Sequence, residues 1–560
     1  MTHKKSFVLF LIFLFSISIK AQQENVPLDH DVYTFLKEMK VKGILDQIHD
    51  DSPNMSRFEV KKHLEKIDSD ISILSNTEKK LLKKYQDEFY DDLADSTNTF
   101  QMFGEEAGFS TDYSDLFSGK IKHTYAFRKD KVNFYLELLG RYLHGQVFKP
   151  RIDNSELLDI GFRGRGTLFG SLGYSMTVQK GGVLGSQEYA STFDPRLNYN
   201  FKFVEAIENI GNYDFTEGYL RYYTEPIEDM KLSFEVGREK IKLGYGYGSK
   251  LILSGEHPYL DMLRMDFNYG IVSFTSIAAS TVGDYSPVRE ENYTKYIAYN
   301  KVKLSVESVG DFGIGEVIIY SGRGLDLAYL NPFAFYKYEE MSLQDRDNGF
   351  VFLDFQTNIV KNLEVQGTFF LDEDILSNLQ DFELYKNKTA YQLSALWYSP
   401  FSINDLSLAV EYTKIRPYVY SHNNSQNTYT AWSQCLGHRI GPNADEIYAK
   451  LSYNFSEWLR GNFEFQHVRS GENIYDGLGN VLFNSGGDIF FPYRDGIDPE
   501  HINTLDGDRI NQSIFILSFR AEPIRKVYFD LLYGFIEQRD DAKGITEDTS
   551  IAFLKMTFEF

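Results

Sequence analysis

Leu554-Lys555-Met556-Thr557-Phe558-Glu559-Phe560 ends the chain. Leu554, Met556, Phe558 and Phe560 share one register; Lys555, Thr557 and Glu559 fill the other. A period of two means a strand with one apolar and one polar face. Globular domains usually leave their last residues loose. Bacterial outer-membrane barrels instead commonly close with such a strand, and their assembly machinery reads the terminal Phe, here Phe560. This stretch therefore predicts fold and compartment together.

The other end agrees. Met1–Lys5 is basic through Lys4 and Lys5, Phe7–Ile19 is an apolar run, and Ala21-Gln22 follows as a cleavage point. The run has the layout of a secretory signal and is too short for a membrane-spanning helix. No Cys stands at the cut, so a lipid anchor is not expected. Cys435 is the only cysteine, which excludes an internal disulfide.

Among 560 residues no second apolar run reaches spanning length. Yet aromatics make up 16%, with 46 Phe and 39 Tyr, while Pro is scarce at 14. That balance suits a wall whose strands meet lipid on one face and water on the other, with aromatic girdles at both interfaces. A net charge of −22 argues against a nucleic-acid partner, which needs a basic footprint.

Residues 26 to 100 read as helices. Val32, Phe35, Leu36 and Met39 fall at helical spacing, with Gly43 placed as a C-terminal cap. Ser56 with Glu59, and Ser75 with Glu78, form capping boxes that open two further helices. Leu81, Tyr85, Phe89 and Leu93 mark the third. Val32, Phe35, Tyr85 and Phe89 are the predicted core of a bundle too small to stand alone, which should dock on something.

From about residue 115 the period becomes two, as in Val132-x-Phe134-x-Leu136-x-Leu138 and Leu406-x-Leu408-x-Val410-x-Tyr412. Counting back from a periplasmic C-terminus, short turns (Glu522–Lys526, Ser456–Trp458, Ser399–Asp405, Val360–Asn362, Gly310–Phe312, Pro226–Asp229) alternate with long connections. Nineteen strand candidates result. An even number is required, so at least one between Gly119 and Tyr213 is surplus. The expected architecture is mainly β: an antiparallel transmembrane β-barrel of about 18 strands, or 16, preceded by a small N-terminal helical bundle. The expected divisions are a signal peptide at 1–21, periplasmic helices at 22–114 and an outer-membrane barrel at 115–560.

Enzyme and metal signatures are weak. Gly244-Tyr245-Gly246-Tyr247-Gly248-Ser249-Lys250 is not a phosphate loop, because the Lys follows the Ser and no helix pattern comes after it. It reads as a Gly-kinked strand end or loop with tyrosines at the membrane rim. The eleven His lack helical metal spacing, and Asp506 with Asp508 lacks the rest of a calcium loop. No catalytic residue, metal or cofactor is predicted.

The long connections are more informative. They hold Gly237-Arg238, Leu251-Ile252-Leu253-Ser254 and Tyr329-Leu330-Asn331-Pro332-Phe333. Arg416-Pro417-Tyr418-Val419-Tyr420-Ser421-His422, Leu436-Gly437-His438 and Gly441-Pro442-Asn443-Ala444-Asp445 follow. In this order the blocks resemble the Wzi family of outer-membrane capsule-assembly proteins. The family pattern around Gly244 is Trp-Gly-Pro-Gly, from which Leu243-Gly244-Tyr245-Gly246 departs. The resemblance implies an eighteen-stranded barrel with a periplasmic helical bundle that holds or organises surface polysaccharide without catalysis.

Sugars are gripped by flat aromatics on their C–H faces and by polar groups on their hydroxyls. Tyr418, Tyr420, His422, Tyr429 and Trp432 supply the first kind; Arg416, Asn423, Asn443 and Asp445 supply the second. Arg238, Tyr245 and Tyr247 join them from the earlier block. The expected partners are surface polysaccharide, outer-membrane lipid and the barrel-assembly machinery. A diffusion porin is the alternative, with Gly322–Asp347 folded inward as a constriction bearing Arg323, Asp326, Arg346 and Asp347. A hydrolase, for which Ser421 and His422 are adjacent, is the third reading.

Overall fold

The computed structural model describes residues 22–90, 99–104, 109–129, 131–200, 211–344, 346–372 and 381–560. The expected signal segment and Leu93 lie outside them.

Eighteen antiparallel strands close into a barrel with N-terminal helices. Successive wall strands pair with one another from Val132–Lys149 round to Ile545–Glu559. The last then pairs with the first, Phe558 opposite Gly140 and Leu554 opposite His144. Closure removes the free edges that an open sheet would expose. Leu554 and Met556 are exposed on the outer wall, as their register predicts.

The surplus candidate is Ile121–Lys129. It pairs with the start of the first wall strand, Tyr125 opposite Leu136 and Lys129 opposite Val132. Just beyond, the Phe560 N–H donates to the Leu138 carbonyl at 2.9 Å. Ile121–Lys129 thus continues the line of the last strand past its terminus and is not a further stave. Thr99–Phe103 lies parallel to it.

Short connections gather at one end, ringed by exposed Phe169, Tyr269, Trp397, Phe401, Phe455 and Trp458, an interfacial girdle. The turn expected at Gly310–Phe312 comes earlier, since Val306 already pairs with Gly310 across it. Most long loops crowd the opposite end. Two connections there are tight, 150–152 and 541–544, and they flank the closing seam.

Among the described residues, three α-helices precede the wall: α1 (Val32–Val41), α2 (Arg57–Ser69) and α3 (Asn76–Phe89). Both predicted capping boxes are formed, at Ser56/Glu59 and Ser75/Glu78. Val32, Phe35, Tyr85 and Phe89 are buried in one core, which also takes in Leu396, Tyr398 and Ala409 of the wall. The bundle's missing apolar partner is therefore the inside of the barrel, at its short-turn end.

Candidate functional site

Asp51, between α1 and α2, reaches the wall and bonds Lys301 at 2.6 Å and Lys303 at 2.5 Å. Burial by itself would raise its pKa, but the two ammonium groups outweigh that and hold it well below the ordinary carboxylate value of 3.8. Glu88, at the end of α3, takes Arg525 and Lys526, each at 2.7 Å. Lys526, His30 and Arg525 likewise overcome burial and keep it far below 4.5. Glu24 meets Arg165 at 2.8 Å, and Gly173 gives the strand room for it, since a Cβ there would stand 2.4 Å from the Gln23 backbone. The helical plug is thus clamped to the wall by buried ion pairs.

The other end is filled differently. The loop 240–259 dives into the lumen, and 416–443 packs on top of it. Tyr420 and Tyr429 stack at 5.2 Å and 12°. Their hydroxyls donate to Leu251 and Ile252 carbonyls at 2.8 and 2.7 Å. Around them Ile297, Tyr299, Ile319, Phe350, Phe352 and Phe370 turn inward from the wall and complete a dry core. The two plugs meet where the Gly244 N–H donates to the Asp51 carbonyl at 2.7 Å. Gly246 makes the descent possible, with φ +129 and Ser249 O 2.5 Å from where a Cβ would stand.

A chamber of about 550 Å³ lies between the helices and the seam side of the wall. Glu137, Arg141, Arg163, Glu217, Tyr259 and Arg520 are among its lining residues. The charges are mostly matched across strands. Glu137 meets Arg163 at 3.1 Å and Arg165 at 2.9 Å, and Arg141 meets Asp159 and Asp194 at 2.5 and 2.6 Å. Asp194 comes from the infolded loop 186–200, anchored by Phe193 and Leu197.

The twelve candidate sugar-contacting residues are dispersed by the fold. Tyr418 and Tyr420 are fully buried, and Tyr418 donates to Asn484 O at 3.1 Å. Asn443 is buried too, and ties Gly471, Leu505 and Asp506 together. Tyr245 lies deep beside Lys301, and Tyr247 bonds Glu364 at 2.5 Å, so these tyrosines are not at the membrane rim. The Gly-rich turn carries them inward instead. Arg238 and Asp445 sit in the outward register, paired with Asp261 and Arg469 at 2.6 Å each. Arg416, His422 and Trp432 stay partly exposed at the loop end. Trp432 stacks on Tyr285 at 5.4 Å and 9°. Ser421 Oγ donates to Tyr418 O at 2.7 Å, and His422 Nδ1 accepts from Asn424 N at 3.1 Å.

The segment Gly322–Asp347 does not fold inward to make a constriction. It lies on the outer wall, where Tyr329 and Tyr336 cover Ala298, Ile318 and Tyr320. Asn300 and Glu316 in the outward register explain this. Polar groups on a lipid-facing wall need partners. Glu316 accepts from Tyr336 N and Lys337 N at 2.7 and 3.1 Å, and Asn300 accepts from Tyr336 OH at 3.1 Å. Arg323, Asp326 and Asp347 form ion pairs within the segment itself.

The anchors Asp51 and Glu88 escape sequence reasoning because their partners are hundreds of residues away. The dry core left a signal: Phe350-Val351-Phe352-Leu353 and Val317-Ile318-Ile319-Tyr320 are apolar in both registers. In a wall with lipid outside, such strands carry apolar side chains inside as well: Phe350 and Phe352 are buried while Leu353 is exposed on the outer face.

No protein-family model matches the sequence, and no curated protein matches it. Solved structures do. Wzi of Escherichia coli, an outer membrane protein involved in group 1 capsule assembly and a carbohydrate-binding β-barrel, aligns with a TM-score of 0.58 at 12% identity, covering 96% of this chain and 99% of that one. OprD of Pseudomonas aeruginosa aligns at 0.41 and 10%, covering 76% and 95%. Over nearly its whole length, this chain therefore has the fold of the Wzi barrel.

Proposed function

We propose that this protein is a closed outer-membrane barrel that holds surface polysaccharide at its loop-bearing mouth and does not pass solutes. In this reading the short-turn end faces the periplasm with the helices inside it, the first 21 residues are a cleaved signal, and the loops face outward. The observation that carries it is the double plug. The helices and the loops meet at Gly244 and Asp51, and an apolar core fills that side of the lumen. At the mouth, the Trp432–Tyr285 stack offers the flat aromatic surface on which sugar rings rest.

The channel reading draws on the charged chamber alone. Planar-bilayer conductance of the folded mature protein separates the two. The expected result is silence; large, stable steps would reject the proposal in favour of a channel. On cells, Trp432→Ala should weaken polysaccharide retention about 2- to 10-fold, the range expected for one aromatic contact. Unchanged retention would move the sugar site away from Trp432.

A further inference from the structure

Glu411 and Glu446 stand on neighbouring strands, Leu406–Ile415 and Ala444–Asn454, in the inward register. His438, from the loop that joins them, comes down between the two. One ligand atom from each of the three lies within 4.8 Å of the others. All three side chains are buried, His438 completely. Glu411 Oε1, His438 Nε2 and Glu446 Oε2 have no hydrogen-bond partner. Leaving one such atom unpaired away from water costs about 1–3 kcal/mol, and more when the group is charged. Three converging on one point ask for a common partner.

The outer atoms of the same groups are already fixed. Glu411 Oε2 accepts from Tyr247 N at 2.7 Å, and Glu446 Oε1 accepts from Arg439. Ile440 N lies 3.5 Å from His438 Nδ1, too long a contact to hold the ring in the form with its proton on Nε2; with the proton on Nδ1, the Nε2 lone pair faces Glu446 Oε2 and is open to a cation. Gly248 borders the space, since a Cβ there would stand 3.0 Å from Glu411 Oε1. Outer contacts that orient free inner atoms are the usual second shell of a metal site.

We propose that Glu411, His438 and Glu446 bind one divalent transition-metal ion of the zinc type, which staples the loop 416–443 to the barrel wall. A tetrahedral ion with bonds of about 2.1 Å holds its ligands about 3.4 Å apart. His438 Nε2 and Glu446 Oε2 are 3.7 Å apart, so a small closing motion completes that pair. One imidazole with two carboxylates suits zinc, whereas calcium and magnesium require more oxygen ligands and water. The dication matches the charge of the two carboxylates, and Arg439 keeps its bond to Glu446.

The test uses the full mature chain, folded in detergent micelles, stripped with EDTA and titrated calorimetrically with Zn²⁺ alone. One equivalent should bind with micromolar affinity or better, and Co²⁺ at the same site should give visible ligand-field bands. His438→Gln and, separately, Glu446→Gln should weaken binding by more than the roughly 10- to 100-fold typical of second-shell changes. Asp261→Asn, at the outer rim, should leave it unaltered. Heat-modifiable gel mobility confirms that each variant is folded, and Glu411→Gln replaces any that is not. The stripped, folded protein failing to bind Zn²⁺ stoichiometrically would overturn the site, and so would binding that survives both substitutions.

Discussion

The two sides of the lumen are filled by opposite means. From Leu260–Tyr269 round to Leu406–Ile415, the loop-side half of the wall turns apolar residues inward onto Tyr420, Tyr429 and Leu436. Along the seam, Glu137, Arg141, Asp159, Arg163 and Arg165 turn inward onto charges from Glu24 and Asp194. The first arrangement is dry and depends on shape. The second retains a chamber and depends on charge matching. Buried ion pairs repay their desolvation only when well matched, while apolar packing needs no matching partner. One wall can therefore hold a rigid plug on one side and keep space on the other.

The largest effect should come from the dry side. Tyr420→Ala removes the stack on Tyr429 and the bond to Leu251, and should cost about 3–5 kcal/mol in denaturant unfolding. Protease nicking within 416–443 should rise with it. A loss below about 1 kcal/mol would mean that this loop is merely draped over the lumen.

The ionic clamp should respond to acid instead. Asp51 and Glu88 have folded pKa values below their ordinary 3.8 and 4.5. A depressed carboxylate stabilises the fold above its ordinary pKa, and that contribution drains away as pH falls through the folded value. Hydrogen exchange of α1–α3 should therefore quicken below about pH 4, while the amides of 416–443 stay protected. Asp51→Asn should cost about 3 kcal/mol at neutral pH and flatten the acid response. Equal loosening of both plugs in acid would erase the distinction between them.

The smallest effect should lie outside both plugs. Arg238 and Asp261 pair on the exposed outer rim, so Arg238→Ala should cost at most about 1 kcal/mol. Raising the salt concentration should remove even that. A larger, salt-insensitive loss would place Arg238 in a binding role.

Much of the fold is written in local patterns. Ser56/Glu59 and Ser75/Glu78 cap their helices through contacts three residues apart, which spacing alone can predict. The closing strand is legible because its two faces meet different solvents. The surplus strand was legible as an excess but not by name. Ile121–Lys129 has the same alternation as a stave, and only its pairing with the start of the first wall strand excludes it. The candidate site was legible as a set of loops but not as a surface. Tyr418 and Tyr420 look the same in sequence whether they cover a sugar or the inside of a barrel.

By itself, then, the sequence determined the elements: three helices, a wall of alternating strands, a closing aromatic strand and loops rich in aromatics. Each of these depends on neighbours within a few residues, where periodicity and capping act. Tertiary structure alone decided where each loop goes. Gly322–Asp347 lies on the outer wall because Asn300 and Glu316 need partners there. The loops 240–259 and 416–443 go inward because Phe350, Phe352 and Phe370 leave an apolar lumen to fill. Those choices are made by burial and charge matching between residues far apart in the chain, which no local pattern records.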